Sequence, residues 1–317
     1  MNLPDRLPNA EQNIRRRVLL PLGTTLVIFL VLFLGVFQVY LQRELSRKLD
    51  EHINSVERLY RDLLQERSTV MQSFAHQVQR DKTLQQAMMR MDRQALQEQS
   101  RPIFRELLRD QNITHFYFHT NEGVNFLRVH KPERYGDQIE RLTMQQARSG
   151  IQVAAGAEMG PLGTFTLRVV VPWFNDERLI GFIELGEEIE PLLEKIAAQT
   201  DSEVAILIRK QILERDAWKE GRQMLGRSAG WDLLPEHVVT AVTEAHLVES
   251  IEQYSSTSYL AGRQVVSLSL QNQQYRGRYL SLVDASNTQV GVMLVLQNAH
   301  DTLNDHRFAI VLITIFC

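Results

Sequence analysis

Between Arg17 and Arg43 the chain carries no charged side chain. The run from Val18 to Tyr40 is almost wholly apolar and supplies the ~20 residues that a helix needs to cross a bilayer. A cleaved secretory signal has an apolar core of about 7 to 15 residues followed by a small-x-small site. This run is longer, and no such site follows it. We therefore expect a membrane helix over 18–40. Residues 1–17, which end in Arg15, Arg16 and Arg17, then stay in the cytoplasm by the positive-inside bias, with Arg43, Arg47 and Lys48 opposing it from the far side.

Past the span, Leu41, Leu45, Leu49, Ile53, Val56, Tyr60, Leu63, Val70, Phe74 and Val78 recur at steps of three and four, without Gly or Pro. That pattern predicts an amphipathic stalk helix over 41–80, ~60 Å long at 1.5 Å per residue. Its stripe either pairs with a second copy, making a homodimer, or packs on the chain's own sheet. Asp81, Lys82 and Thr83 start a shorter helix, and Arg101 with Pro102 starts another.

The stretch Ile113–Gly186 then switches to a period of two. ITHFYFHTNEGVNFLRVH reads as a hairpin turning at Thr120–Gly123, and TFTLRVVVPWF and RLIGFIELG read as another, turning at Asn175, Asp176 and Glu177. AGAEMGPLG, between them, reads as a flexible lid or linker. Glu187, Glu188 and Glu190 with Pro191 open a helix to about Thr200. A second set of strands follows in SEVAILIRK, YLAGRQVVSLSLQ, YRGRYLSLVD and QVGVMLVLQ, with a turn at Ala285–Asn287 and a helix expected from Pro235 to about Ala245. The repetition predicts two related α+β modules, over 81–186 and 203–298, joined by a connecting helix over 187–202. Phe308–Cys317 is an apolar run half the length of a span. It reads as part of a second membrane helix over 299–317, the alternative being a short buried C-terminal helix.

Composition excludes several classes. A net charge of -3, with both signs interspersed, gives no basic face for nucleic acid. The single cysteine, Cys317, permits no disulfide within the chain and no Cys-based metal site. His115 and His119 stand ~13 Å apart along one strand and cannot share an ion there. No nucleophile elbow, phosphate loop, kinase signature or zinc spacing occurs in 1–317, so neither an enzyme nor a cofactor is expected within it.

The candidate site lies on the distal strands. Alternation puts Phe126, Arg128 and His130 on one face, Thr166, Arg168 and Val170 on one face of the next hairpin, and Ile180, Phe182 and Glu184 together on the last strand. If these faces coincide, Arg128, His130 and Arg168 offer donors to a carboxylate, and Glu184 or Asp137 takes an ammonium. Otherwise Arg168 and Glu184 neutralise each other across neighbouring strands. Tyr135 and Asp137 lie in the loop after Pro132, and Trp173 is either an aromatic wall or a core residue.

The runs FLRVHKPERYGD and LRVVVPWFNDERLIGFIELG resemble the membrane-distal half of the double Cache sensor domains of bacterial receptors. Phe126, Leu127, Arg128, His130, Pro132, Gly136 and Asp137 carry the likeness in the first run, and Arg168, Pro172, Gly181, Glu184 and Gly186 in the second. The Tyr, Arg-x-Trp-Tyr and Asp pattern of the amino-acid-binding subgroup is missing. The resemblance implies an α+β protein with a long N-terminal helix and two stacked PAS-like (Cache) antiparallel-sheet modules, flanked by transmembrane helices. It further implies an inner-membrane receptor with most of its chain periplasmic. A small carboxylate or amino acid would bind the distal module at Phe126, Arg128, His130, Tyr135, Asp137, Arg168, Trp173 and Glu184, and a histidine kinase or diguanylate cyclase would be the cytoplasmic output. The rival expectation is a membrane-anchored periplasmic scaffold that binds no small molecule.

Overall fold

A computed structural model describes residues 19–160, 163–224, 226, 230–254, 264–270 and 272–299. Residues 1–18 and 300–317, with the expected cytoplasmic arm and second span, lie outside the described residues. Ile53–Asn298 forms one compact unit.

Helix α1 (Leu20–Gln79) is continuous. Its first part exposes apolar side chains such as Leu26, Phe29 and Val36, and is long and apolar enough to cross a membrane. From Ile53 onward the stripe of Val56, Leu63, Met71, Ala75 and Val78 is buried, and the last three of these belong to the core of the first sheet. Helix α2 (Lys82–Met89) starts where expected, because the Asp81 carboxylate accepts from the Thr83 and Leu84 amides. Helix α3 (Arg93–Gln111) corrects an expected start at Arg101. Asp92 caps it through the Ala95 amide, and Pro102 sits inside the helix instead of opening it. Proline removes one donor there, and the other turns carry the helix through.

Strands β1 (Ile113–His119), β2 (Asn125–Arg128), β3 (Ala154–Met159), β4 (Phe165–Asn175) and β5 (Arg178–Glu188) form an antiparallel sheet in the order β2-β1-β5-β4-β3. β3 replaces the linker expected at AGAEMGPLG, and helix α4 (Leu142–Gly150) precedes it. One sheet face, with Phe116, Phe118, Leu127, Leu167, Val169, Val171, Trp173, Ile183 and Leu185, packs in one core with residues of α1, α2 and α3. Part of the other face, Val170 and Phe182, meets Met144 and Ala147 of α4. The register of β4 on β5 slips between Trp173 and Phe174, where Gly181 and then Leu179 are the partners. This bulge turns Ile180 away from the face of Phe182 and Glu184 and onto the core of Trp173, against the simple alternation expected.

Helix α5 (Glu190–Thr200), with Pro191 in its first turn, leads into the second module. There β6 (Ser202–Arg209), β7 (His237–Val242), β8 (Val266–Leu270), β9 (Gln273–Val283) and β10 (Gln289–Asn298) are ordered β7-β6-β10-β9-β8. Counted within each module, both sheets read 2-1-5-4-3, so the repeat is topological. β7 overturns the helix expected at 235–245. Its run of Val238, Val239, Thr240 and Val242 is β-branched and pairs with β6, and pairing decides the outcome for so short a segment. Helices α6 (Arg215–Met224) and α7 (Leu247–Ile251) complete the module. Each sheet is thus one layer of an α+β module of PAS-like type.

Candidate functional site

The polar half of the first sheet's second face lies under a cavity of about 660 Å³, within the range of ~300 to 1,000 Å³ usual for small-molecule sites. Its floor is Tyr117 at the centre of β1, with His115 stacked beside it at 6.0 Å and His130 edge-on at 4.8 Å. Three guanidiniums surround the tyrosine ring: Arg128, Arg141 and Arg168 have their central carbons 5.5, 5.6 and 5.9 Å from its centroid, within reach of cation–π attraction. Lys131, Arg134, Tyr135 and Asp137 come from the loop after β2.

Beneath the cavity, Glu184 is fully buried and accepts four hydrogen bonds. His119 Nε2 donates at 2.9 Å, Arg141 Nη2 to both oxygens at 2.5 and 2.7 Å, and Arg168 Nη1 at 2.7 Å. Burial by itself would push its carboxyl upward. The Arg141 charge, the His119 hydrogen bond and the Arg168 charge outweigh burial and hold Glu184 well below the usual carboxylate range. Arg168 lies opposite Gly186 and Glu184 opposite Val170, so the pair is diagonal across β4 and β5. With no side chain at Gly186, the Arg168 guanidinium reaches over the neighbouring strand, its Nη1 3.5 Å from where a Cβ would stand. Arg141 arrives from another direction. Glu158 on β3 accepts from the Thr143 amide and hydroxyl and so fixes the start of α4, where Arg141 is the capping residue.

At the cavity edge Arg128 donates to both oxygens of Asp137 at 2.7 and 2.6 Å, the bidentate geometry that locks a guanidinium plane. The Arg93 guanidinium lies 3.4 Å over the Tyr135 ring and tethers that loop to α3. The Phe116 amide donates to His130 Nδ1 at 3.3 Å, which leaves the ring proton on Nε2. Burial, together with the charges of Arg168 and Arg128, pushes His130 down to about 4.

Of the expected residues, Arg128, His130, Tyr135, Asp137 and Arg168 line the cavity, and Glu184 anchors two of its arginines. Two lie elsewhere. Trp173 is fully buried in the core on the opposite face, and Phe126 packs against that same core. For both rings the apolar interior offers more burial than the polar face. Tyr117, His115 and Arg141 are additions. The alternation of His115, Tyr117 and His119 marks the first two, whereas no local pattern marks Arg141. Among the described residues no cluster of three metal-ligating side chains occurs.

His130 makes folding acid-sensitive. Its folded value lies below the ~6.5 of an unfolded histidine, so the unfolded chain binds the proton first and stability falls as pH drops from about 6.5 to about 4. Burial pushes His115 and His119 the same way. Urea midpoints measured across that window fall on acidification, and less steeply in His130→Gln; slopes that coincide would remove His130 as the cause.

No curated protein is detectably similar in sequence. Among solved structures, the ligand-binding domain of the Campylobacter jejuni chemoreceptor Tlp3, in complex with 4-methylisoleucine, superposes with a TM-score of 0.46 at 12% identity over 82% of this chain and 92% of that one. The periplasmic domain of Vibrio cholerae LuxQ does so at 0.46 and 12%, over 78% and 99%. A family model described as the double sensory domain of two-component sensor kinases matches residues 42–302. That span takes in both sheet modules, and the chain belongs to this double Cache family of sensory domains.

Proposed function

We propose that the first module binds a small organic anion and that the chain is the input region of an inner-membrane receptor, its sheets periplasmic. In this reading the bound state shifts α1, through which two copies pair, and biases a histidine kinase or diguanylate cyclase across the membrane. One observation supports the ligand class: Glu184, Glu158 and Asp137 are already held by donors of this chain, while the Lys131 and Arg134 cations and the ring N–H of His130 lie along the cavity, beside Glu133 and Glu188. Glu184 accepts four hydrogen bonds from His119, Arg141 and Arg168, Glu158 accepts two from Thr143, and both Asp137 oxygens face Arg128. An ammonium placed on Glu184, Glu158 or Asp137 would have to break one of these pairs. A carboxylate meets the Nε2–H of His130, the Tyr117 hydroxyl and the cations of Lys131 and Arg141 along the cavity wall.

Thermal unfolding of the full chain in detergent tests this against succinate, benzoate, inorganic phosphate, and matched amines and amino acids. A ligand at a hundred times its Kd stabilises by about 2.7 kcal/mol. An anion is expected to raise Tm, and Lys131→Gln to reduce that rise while leaving the unliganded Tm unchanged. No rise with any anion, or a larger one with amines, rejects the assignment.

A further inference from the structure

We propose that the anion site is shared between the two modules: α6 of the second module forms part of its wall, and Trp218 holds that helix in place. This rests on the anion reading above. Gly221 of α6 is buried and lines the cavity beside residues of the first module. One turn earlier, Trp218 is 1% exposed. The indole lies against the backbone that connects β3 to β4. Gly163 there has φ +74°, and a Cβ added to it would stand 2.4 Å from Trp218 Cδ1, so only glycine admits the ring. The next residue, Thr164, lines the cavity. Trp231 meets Trp218 edge-on at 5.5 Å and the Arg222 guanidinium lies 5.7 Å from its ring, so the second module holds the indole from its own side.

A separate contact keeps the modules together. The Ala285 amide, in the β9–β10 turn, donates to the Ala157 carbonyl on the edge strand β3 at 2.8 Å, and Ala285 sits where a Cβ on Gly156 would be. Moving α6 therefore does not require the modules to part. Trp218 Nε1 is buried with no acceptor among the described residues, which makes the docked position of the helix less stable than a fully satisfied one. An anion in the cavity then touches a wall from each module, and its arrival is felt in the second module directly through α6 as well as through α1.

Hydrogen exchange on the full chain in detergent, with succinate, benzoate and inorganic phosphate, tests the shared wall. The anion that raises Tm is expected to slow exchange over Arg215–Arg222. Trp218→Ala, and independently Gly163→Ala from the other module, are expected to weaken its binding roughly tenfold while β6 and β10 keep their protection. Unchanged affinity in both variants, or slowing confined to Lys131–Asp137, overturns the proposal. If none of the three anions binds, the anion reading fails by itself. The wall is then judged without ligand: Trp218→Ala must speed exchange at Thr164, Phe165 and Lys131–Asp137, and unchanged rates there overturn it.

Discussion

Glu184→Gln is expected to cost about 3 to 5 kcal/mol, the range for breaking a buried ion network by removing one partner. At about 2 to 4 °C per kcal/mol for a unit of this size, Tm falls by roughly 10 °C. Size is nearly unchanged, so the loss measures charge. The amide keeps one acceptor oxygen where the carboxylate had two, and it leaves Arg168, 1% exposed, and Arg141 without their shared anion. The pH dependence separates this from a packing defect. The folded value of Glu184 is depressed, so its contribution is fully present above the unfolded value of ~4.3 and is lost as pH falls below that toward the folded value. The deficit of the variant against the wild type must therefore shrink on acidification below about pH 4.3. Adding Arg168→Met to Glu184→Gln is expected to restore part of the lost stability, because the unpaired buried charge goes with it. A variant as stable as the wild type at pH 7 would mean that the network adds nothing to folding.

Two possibilities were open in the sequence for Arg168 and Glu184: pairing with each other, or facing a common hollow. They pair with each other, and Arg168 alone of the two also lines the cavity, with Glu184 beneath it. Alternation alone reaches that far because strand faces have a period of two. It fails at Ile180, where a bulge reverses the face, and at Arg141, whose position depends on Glu158 reaching the start of another element. It fails at β7 as well, since a short β-branched run takes its state from its neighbour β6, not from its own residues. Helix starts were legible where a carboxylate caps them, as at Asp81; at Asp92 the same signal was present, and Pro102 drew attention from it. Trp218 and Gly221 carry no signal in sequence at all, because their role arises from the apposition of two modules.

Trp173 separates a core role from a ligand role. Trp173→Ala is expected to lose about 3 to 5 kcal/mol, the cost of emptying a fully buried aromatic position. The ring packs 5.3 Å from Phe118, and its indole N–H donates at 3.1 Å to the carbonyl of Gln79, the last residue of α1. That carbonyl has no partner inside the helix. Gln79 returns the contact by donating its side-chain amide to the Pro172 carbonyl, so the end of α1 is tied to β4 from both sides. Trp173→Phe keeps most of the volume and removes the donor, which isolates a contribution of about 0.5 to 1.5 kcal/mol. In both variants the amides of Val78 to Asp81 should exchange faster, since one of the contacts tying the end of α1 to β4 is lost, while anion affinity stays at the wild-type value because the cavity lies on the other face of the sheet. Urea midpoints and hydrogen exchange read the two effects independently. Wild-type stability combined with lost anion binding in Trp173→Ala would place the indole in the site and overturn the division of this sheet into a core face and a binding face.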